Sequence, residues 1–125
     1  MKTLSIEMVL RLHDKITYST GGSSGIRDRG LLESALNNAF QTFGGQDLYP
    51  STIDKISVIT YSIVNNHPMI DGNKRLGIMV MWMLLKLNNI SITYTQDELI
   101  VLGLGIAQNQ FKENDIRNWI EEHMN

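Results

Sequence analysis

One stretch of the chain gathers residue types that could do chemistry together: His67-Pro68-Met69-Ile70-Asp71-Gly72-Asn73-Lys74-Arg75. Gly72 permits an unusual backbone angle just where an apolar helical pattern begins. The first turn of a helix points free N–H groups outward and carries a partial positive charge. Lys74 and Arg75 fall in that turn, where a cation has the wrong sign and costs roughly 0.3–1 kcal/mol when exposed. The cost reverses when an anion binds. Backbone donors, helix dipole, ammonium and guanidinium then converge on one point, which is a phosphate cradle in chemical terms. A single carboxylate beside it, Asp71, suits Mg²⁺, which takes oxygen ligands and keeps several waters. Histidine titrates near neutral pH and can take a proton from an attacking hydroxyl, and His67 stands close by in the sequence. Phosphate, metal and base together describe transfer of a phosphate-containing group from a nucleotide.

Each of these residues also has an ordinary use. Asp71 can N-cap the helix that follows, and His67 can cap the one before. Lys74 and Arg75 can point into solvent, and Pro68 can simply separate two helices. It is their coincidence within one short stretch that favours the joint reading.

The elements that must position this stretch are helical throughout, because apolar residues recur mostly at helical spacing. A first helix spans about Ser5 to Tyr18, with Ser5 as cap and Ile6, Val9, Leu10, Leu12 and Ile16 as its apolar side. Gly21-Gly22-Ser23-Ser24-Gly25 is a loop. A second helix starts at its N-cap Asp28 and carries Leu31, Leu32, Ala35, Leu36 and Ala39. After the loop from Gly44 to Pro50, Ser51 opens a third helix bearing Ile53, Ile56, Ile59, Thr60 and Ile63 towards His67. The fourth runs from near Gly72 to about Asn89. It is apolar almost all round from Leu76 to Leu85, which predicts a helix buried in the middle of a bundle. The β-branched stretch Ile90 to Thr93 reads as a short strand or an extended link. Thr95 and Glu98 form a capping-box pattern for a fifth helix, and a sixth covers about Asn114 to His123. The expected fold is all-α: one domain over residues 1–125, a compact six-helix bundle around a buried central helix, with room for one short strand or hairpin.

Composition sets the outer bounds. The chain has 125 residues, with 11 Lys and Arg against 13 Asp and Glu. A net charge of −2 argues against holding nucleic acid by bulk electrostatics. The absence of Cys removes disulfides, thiolate metal sites and thiol nucleophiles. The longest near-apolar run, Leu76 to Leu85, is too short for a bilayer, which needs about 20 residues. The N-terminal stretch lacks the apolar run of a signal peptide, so a soluble cytoplasmic protein is expected. His13, on the polar edge of the first helix, and His123, in the last turn of the sixth, read as structural, and the three histidines are too scattered for a zinc site. Trp82, Trp119 and the run Met79, Met81, Met83 read as core. Arg27, Asp28 and Arg29 either hold substrate or order the loop, or are simply a capped helix start with solvated charges.

The motif His-Pro-x-x-Asp-Gly-Asn-Lys-Arg at 67–75 resembles the signature of the Fic/Doc superfamily, specifically its Doc (death-on-curing) branch. The segment from Gly25 to Leu36 is similar to that branch as well, and with helix order and length the likeness covers nearly the whole chain. The resemblance implies a compact helical bundle that transfers part of a nucleoside triphosphate to a protein hydroxyl. It implies His67 as general base, Asp71 as Mg²⁺ ligand, Gly72, Asn73 and Lys74 as the anion-binding turn, and Arg75 as a phosphate contact. It implies ATP and Mg²⁺ as cofactors and an antitoxin of the prevent-host-death type as partner. The implied activity is phosphorylation of a Thr on translation elongation factor Tu, with no direct nucleic-acid or membrane partner.

Three departures from the family pattern bear on activity. Met69 stands where an aromatic residue is usual, with the job of plugging the loop into the core. Fic adenylyltransferases typically read Gly-Asn-Gly-Arg with a second Arg three residues on; here Lys74 replaces that Gly and Ile78 holds the second-Arg place. An apolar Ile cannot clamp a terminal phosphate, which favours phosphoryl over AMP transfer. Adenylyl transfer by the same site, or a non-catalytic module that binds nucleotide or a partner helix, are the alternatives. Finally, the nearest match to the self-inhibitory pattern of some Fic proteins, Thr3 to Glu7, is followed by Met8 rather than Gly or Asn, so restraint from another chain is expected.

Overall fold

In the computed structural model, which describes residues 1–125, side-chain caps start four of the six helices. Ser5 accepts from the Met8 N–H and opens α1 (Ile6–Thr20), and Asp28 does the same for Leu31 to open α2 (Arg29–Asn37). Ser51 opens α3 (Thr52–Asn66) by accepting from Asp54. The next helix, α4 (Asn73–Leu87), starts at Gly72 with no side-chain cap. Thr95 and Glu98 form the expected reciprocal box at the start of α5 (Gln96–Ala107). Ahead of α6 (Glu113–His123), the Asp115 carboxylate accepts the Lys112 N–H. Each such cap contributes about 1 kcal/mol, so the uncapped start of α4 stands apart energetically.

The fold is all-α, and its centre is α3, which packs against α2, α4, α5 and α6. Ile56, Ile59 and Ile63 of α3 meet Leu76, Val80, Met81, Leu84 and Leu85 of α4, all buried. A Cβ at Gly77 would sit 2.5 Å from Val64 Cγ2, so the glycine lets α4 lie close against α3. This tight seam holds the two ends of the 67–72 connection in a fixed relation.

Three expectations are decided by the fold, the last two as corrections. First, of the short strand and the extended link open for Ile90–Thr93, the structure selects the link. A lone bridge pairs Ile92 with Met124, and Thr93 N–H donates to the His123 carbonyl. The strands lie instead in the stretch around the 44–50 loop, as an antiparallel hairpin of β1 (Thr42–Phe43) and β2 (Gln46–Asp47). Gly44 and Gly45, at φ 61° and 81°, make the turn that side chains would resist. Buried Lys55 ties the hairpin to α3 through Asp47 (3.1 Å) and the Tyr49 carbonyl. Secondly, α4 is not enclosed. Met79 is 39% exposed, and Trp82 is half-buried with the Lys86 ammonium 4.7 Å from its ring, because α1 and α5 flank α4 without meeting over it. Met81 alone of the three methionines is buried. Thirdly, His13 does not sit on a polar edge but is completely buried. No helix is long and apolar enough to cross a membrane.

Candidate functional site

The site is built from the C-terminus of α3. His67 closes that helix in the left-handed conformation, φ 50° and ψ 55°, a region that costs a non-glycine residue free energy. Its ring is exposed and takes no hydrogen bond within the chain. Arg27 supplies the restraint: its Nε donates to the His67 carbonyl at 2.6 Å and its Nη2 to the Asn66 carbonyl at 2.8 Å. A guanidinium on the last carbonyls of a helix also meets the negative end of the dipole. Of the three readings open for Arg27, the structure therefore selects ordering of the loop.

The rest of the loop is stitched to the segment before α2. The Arg27 and Asp28 N–H groups both donate to the Pro68 carbonyl (2.8 and 2.9 Å), Ile70 N–H donates to Gly25, and Ile26 bridges to Met69. Met69, only 2% exposed, does fill the core as its position in the motif implied. Asn73 closes the loop on itself, its Oδ1 accepting from Met69 N–H (2.9 Å) and its Nδ2 donating to Met69 O (3.0 Å). The Asn73 side chain is thus committed to the loop, and only its main-chain N–H remains for an anion.

Asp71 does not cap α4. Its Oδ1 accepts from the Gly72 N–H at 2.9 Å and its Oδ2 from the Ser23 N–H at 3.3 Å. The approach of the glycine loop is close: a Cβ on Gly22 would lie 2.8 Å from Oδ2. Asp71 is exposed, and no three His, Asp or Glu side chains cluster anywhere in the chain. A lone carboxylate fits Mg²⁺ in one way, as the protein ligand to an ion otherwise held by phosphate and water.

Past Gly72, at φ 77°, the first helical bond of α4 runs from Leu76 N–H to the Gly72 carbonyl. The N–H groups of Asn73, Lys74 and Arg75 have no partner within the chain. Lys74 and Arg75 are exposed and take part in none of the ion pairs. Their side chains edge a groove of about 770 Å³ between α1, α4 and α5, lined also by Ile16, Ile78, Trp82 and Tyr94. So Gly72, Asn73, Lys74 and Arg75 come together at one helix start, Asp71 adjoins them, and His67 stands at the far end of the same loop.

Sequence reasoning missed His13. Its Nε2 donates to the Asp71 carbonyl at 2.7 Å, so the ring is part of the loop's support. The signal was present in the spacing of Val9, His13 and Ile16, which puts the histidine on the buried stripe of α1.

The shifted titrations lie elsewhere, between α5 and α6. Burial works against the charge on His123, but bonds to the Glu98 carboxylate (2.6 Å) and the Trp119 carbonyl (2.6 Å) outweigh it and raise its pKa. The same bond from His123, with help from the Thr95 cap, lowers that of Glu98.

A six-helix bundle in which an exposed histidine and an uncapped, doubly cationic helix start share one stitched loop defines a narrow class. Residues 3–85 match the model of the Fic/DOC family, and the chain belongs to that family. It is 36% identical over 72 residues to Toxin Doc of Mycolicibacterium smegmatis, a match covering 58% of this chain and 55% of that relative. The matched stretch thus spans about half the relative's length.

Proposed function

We propose that the chain is a Doc-like toxin that transfers the γ-phosphoryl group of Mg²⁺-bound ATP to a Thr or Ser hydroxyl of a protein. Translation elongation factor Tu is the candidate acceptor, an antitoxin of the prevent-host-death type the candidate restraint, and the cytoplasm the candidate setting. The observation that carries this reading is that one loop sets an exposed imidazole at one end and three unpartnered N–H groups with two unpaired cations at the other.

In this mechanism the N–H groups of Asn73, Lys74 and Arg75, with the Lys74 ammonium and Arg75 guanidinium, bind the phosphates. Asp71 holds Mg²⁺, which when bound offsets the phosphate charge. The neutral His67 ring accepts the proton of the acceptor hydroxyl as its oxygen attacks the γ-phosphorus. The bond from that phosphorus to the β–γ bridging oxygen breaks, and ADP leaves. Ile78, one turn further along α4 in the groove wall, supplies no charge to clamp a distal phosphate, which supports the γ-end as the reacting end.

The test is where a label travels. ATP labelled at the γ-position should mark the acceptor protein, and ATP labelled at the α-position should not. Label from the α-position alone would establish AMP transfer instead, and tight ATP binding with no transfer to any acceptor would leave a binding module.

A further inference from the structure

We propose that His13 is a positioning residue for the anion-binding turn, an inference that rests on the functional reading above. A completely buried histidine is a poor choice for packing alone. Here its Nδ1 has no hydrogen-bond partner, a cost an aliphatic residue would not carry. What the ring secures in return is the single bond from Nε2 to the Asp71 carbonyl, 2.7 Å long.

That carbonyl governs the turn in two ways. It lies in the same rigid peptide plane as the Gly72 N–H. Holding the oxygen against α1 sets the direction of that N–H, which in turn is accepted by Asp71 Oδ1 and so orients the carboxylate. Asp71 O is also the atom that Arg75 N–H would bond if α4 were extended backwards by one residue. His13 occupies it, and Arg75 N–H stays free. The restraint matters because Gly72 is the most permissive residue in the loop, at φ 77°, and the His13 ring is its nearest neighbour, with Nε2 3.6 Å from where a Cβ would lie.

The experiment compares the full chain with His13→Leu and His13→Gln. Leucine fills the space without a donor; glutamine carries an amide N–H of similar reach. Calorimetry with Mg²⁺ and ATP, γ-label transfer, thermal melts and the amide NMR signals of Gly72 to Arg75 are the readouts. Both variants should melt cooperatively. His13→Leu should weaken ATP binding roughly tenfold, lower transfer roughly a hundredfold and move the four amide signals, and His13→Gln should restore most of each. The proposal is overturned if His13→Leu binds and transfers like the unmodified chain. It is equally overturned if both variants lose function alike, in step with their melting temperatures, because the ring would then be packing only. An unmodified chain that takes up no ATP sinks the functional reading itself, and this inference with it. That result would be recognised before any variant is compared.

Discussion

At the close of α6, His123 donates from both ring nitrogens, stacks on Trp119 at 3.9 Å between ring centroids, and faces a carboxylate. At the close of α3, His67 is exposed and donates to nothing, and the cations across its loop take part in no ion pair. Residue types are alike in the two places: a histidine at a helix end, an acid, a helix N-terminus nearby. The first region satisfies its polar groups from within the chain, using Thr95, Glu98 and the Trp119 carbonyl. The second satisfies only its backbone framework, through Arg27, Asn73 and His13, and leaves the outward groups unpaired. A polar cluster that stabilises a fold is closed; one prepared for a ligand is held rigidly from behind and open in front.

The sharpest way to break this comparison is His67→Ala. Because the ring holds nothing in place, transfer should fall by roughly 10²–10⁴-fold while the melting temperature stays within about 1 °C; γ-label transfer beside a thermal melt reads both. Next comes Arg27→Ala, which removes the support rather than the chemistry. It should lower transfer by roughly ten- to a hundredfold and stability by about 1–3 kcal/mol, the latter measured by urea denaturation. Arg75→Ala should separate the two regions by sign. Removing a cation from the positive end of α4 should raise stability by about 0.3–1 kcal/mol and weaken ATP binding in the same protein. A loss of stability would mean that Arg75 is a structural residue after all.

The smallest effect belongs to the closed region. His123 has a raised pKa, so its contribution is complete below the ordinary imidazole value of 6.5 and is lost as pH rises through the raised one. Glu98 has a lowered pKa, so its contribution is complete above the ordinary carboxylate value of 4.5 and is lost as pH falls through the lowered one. The pair is therefore most stabilising between those two ordinary values. His123→Gln should flatten the fall in melting temperature above that window by about 1–3 °C, and leave ATP binding unchanged.

Much of this architecture is legible in the residues. Ser5, Asp28, Ser51 and the Thr95–Glu98 pair are caps that act within a few residues, and local chemistry is what a sequence displays directly. The motif and its helix–loop–helix setting are legible for the same reason. What is hidden depends on packing between distant segments. Apolar periodicity does not tell whether α3 or α4 is central, since both are rich in large aliphatics, and α4 turns Met79 and Trp82 towards a groove that only the placement of α1 and α5 creates. The hairpin escapes because its strands are two residues each, too short to show alternation. His13 and Arg27 act across 58 and 40 positions of chain, on main-chain carbonyls that carry no side-chain signature.

The Asn73 amide, closed over both polar atoms of the Met69 main chain, has a thermodynamic consequence. The loop is ordered when the protein folds, so its conformational entropy is surrendered at that moment and not at each encounter with an anion. Recognition at this tip should accordingly resemble a key entering a finished lock. The heat capacity change on binding should be small, and the apo and loaded chains should differ by little more than side-chain rotations.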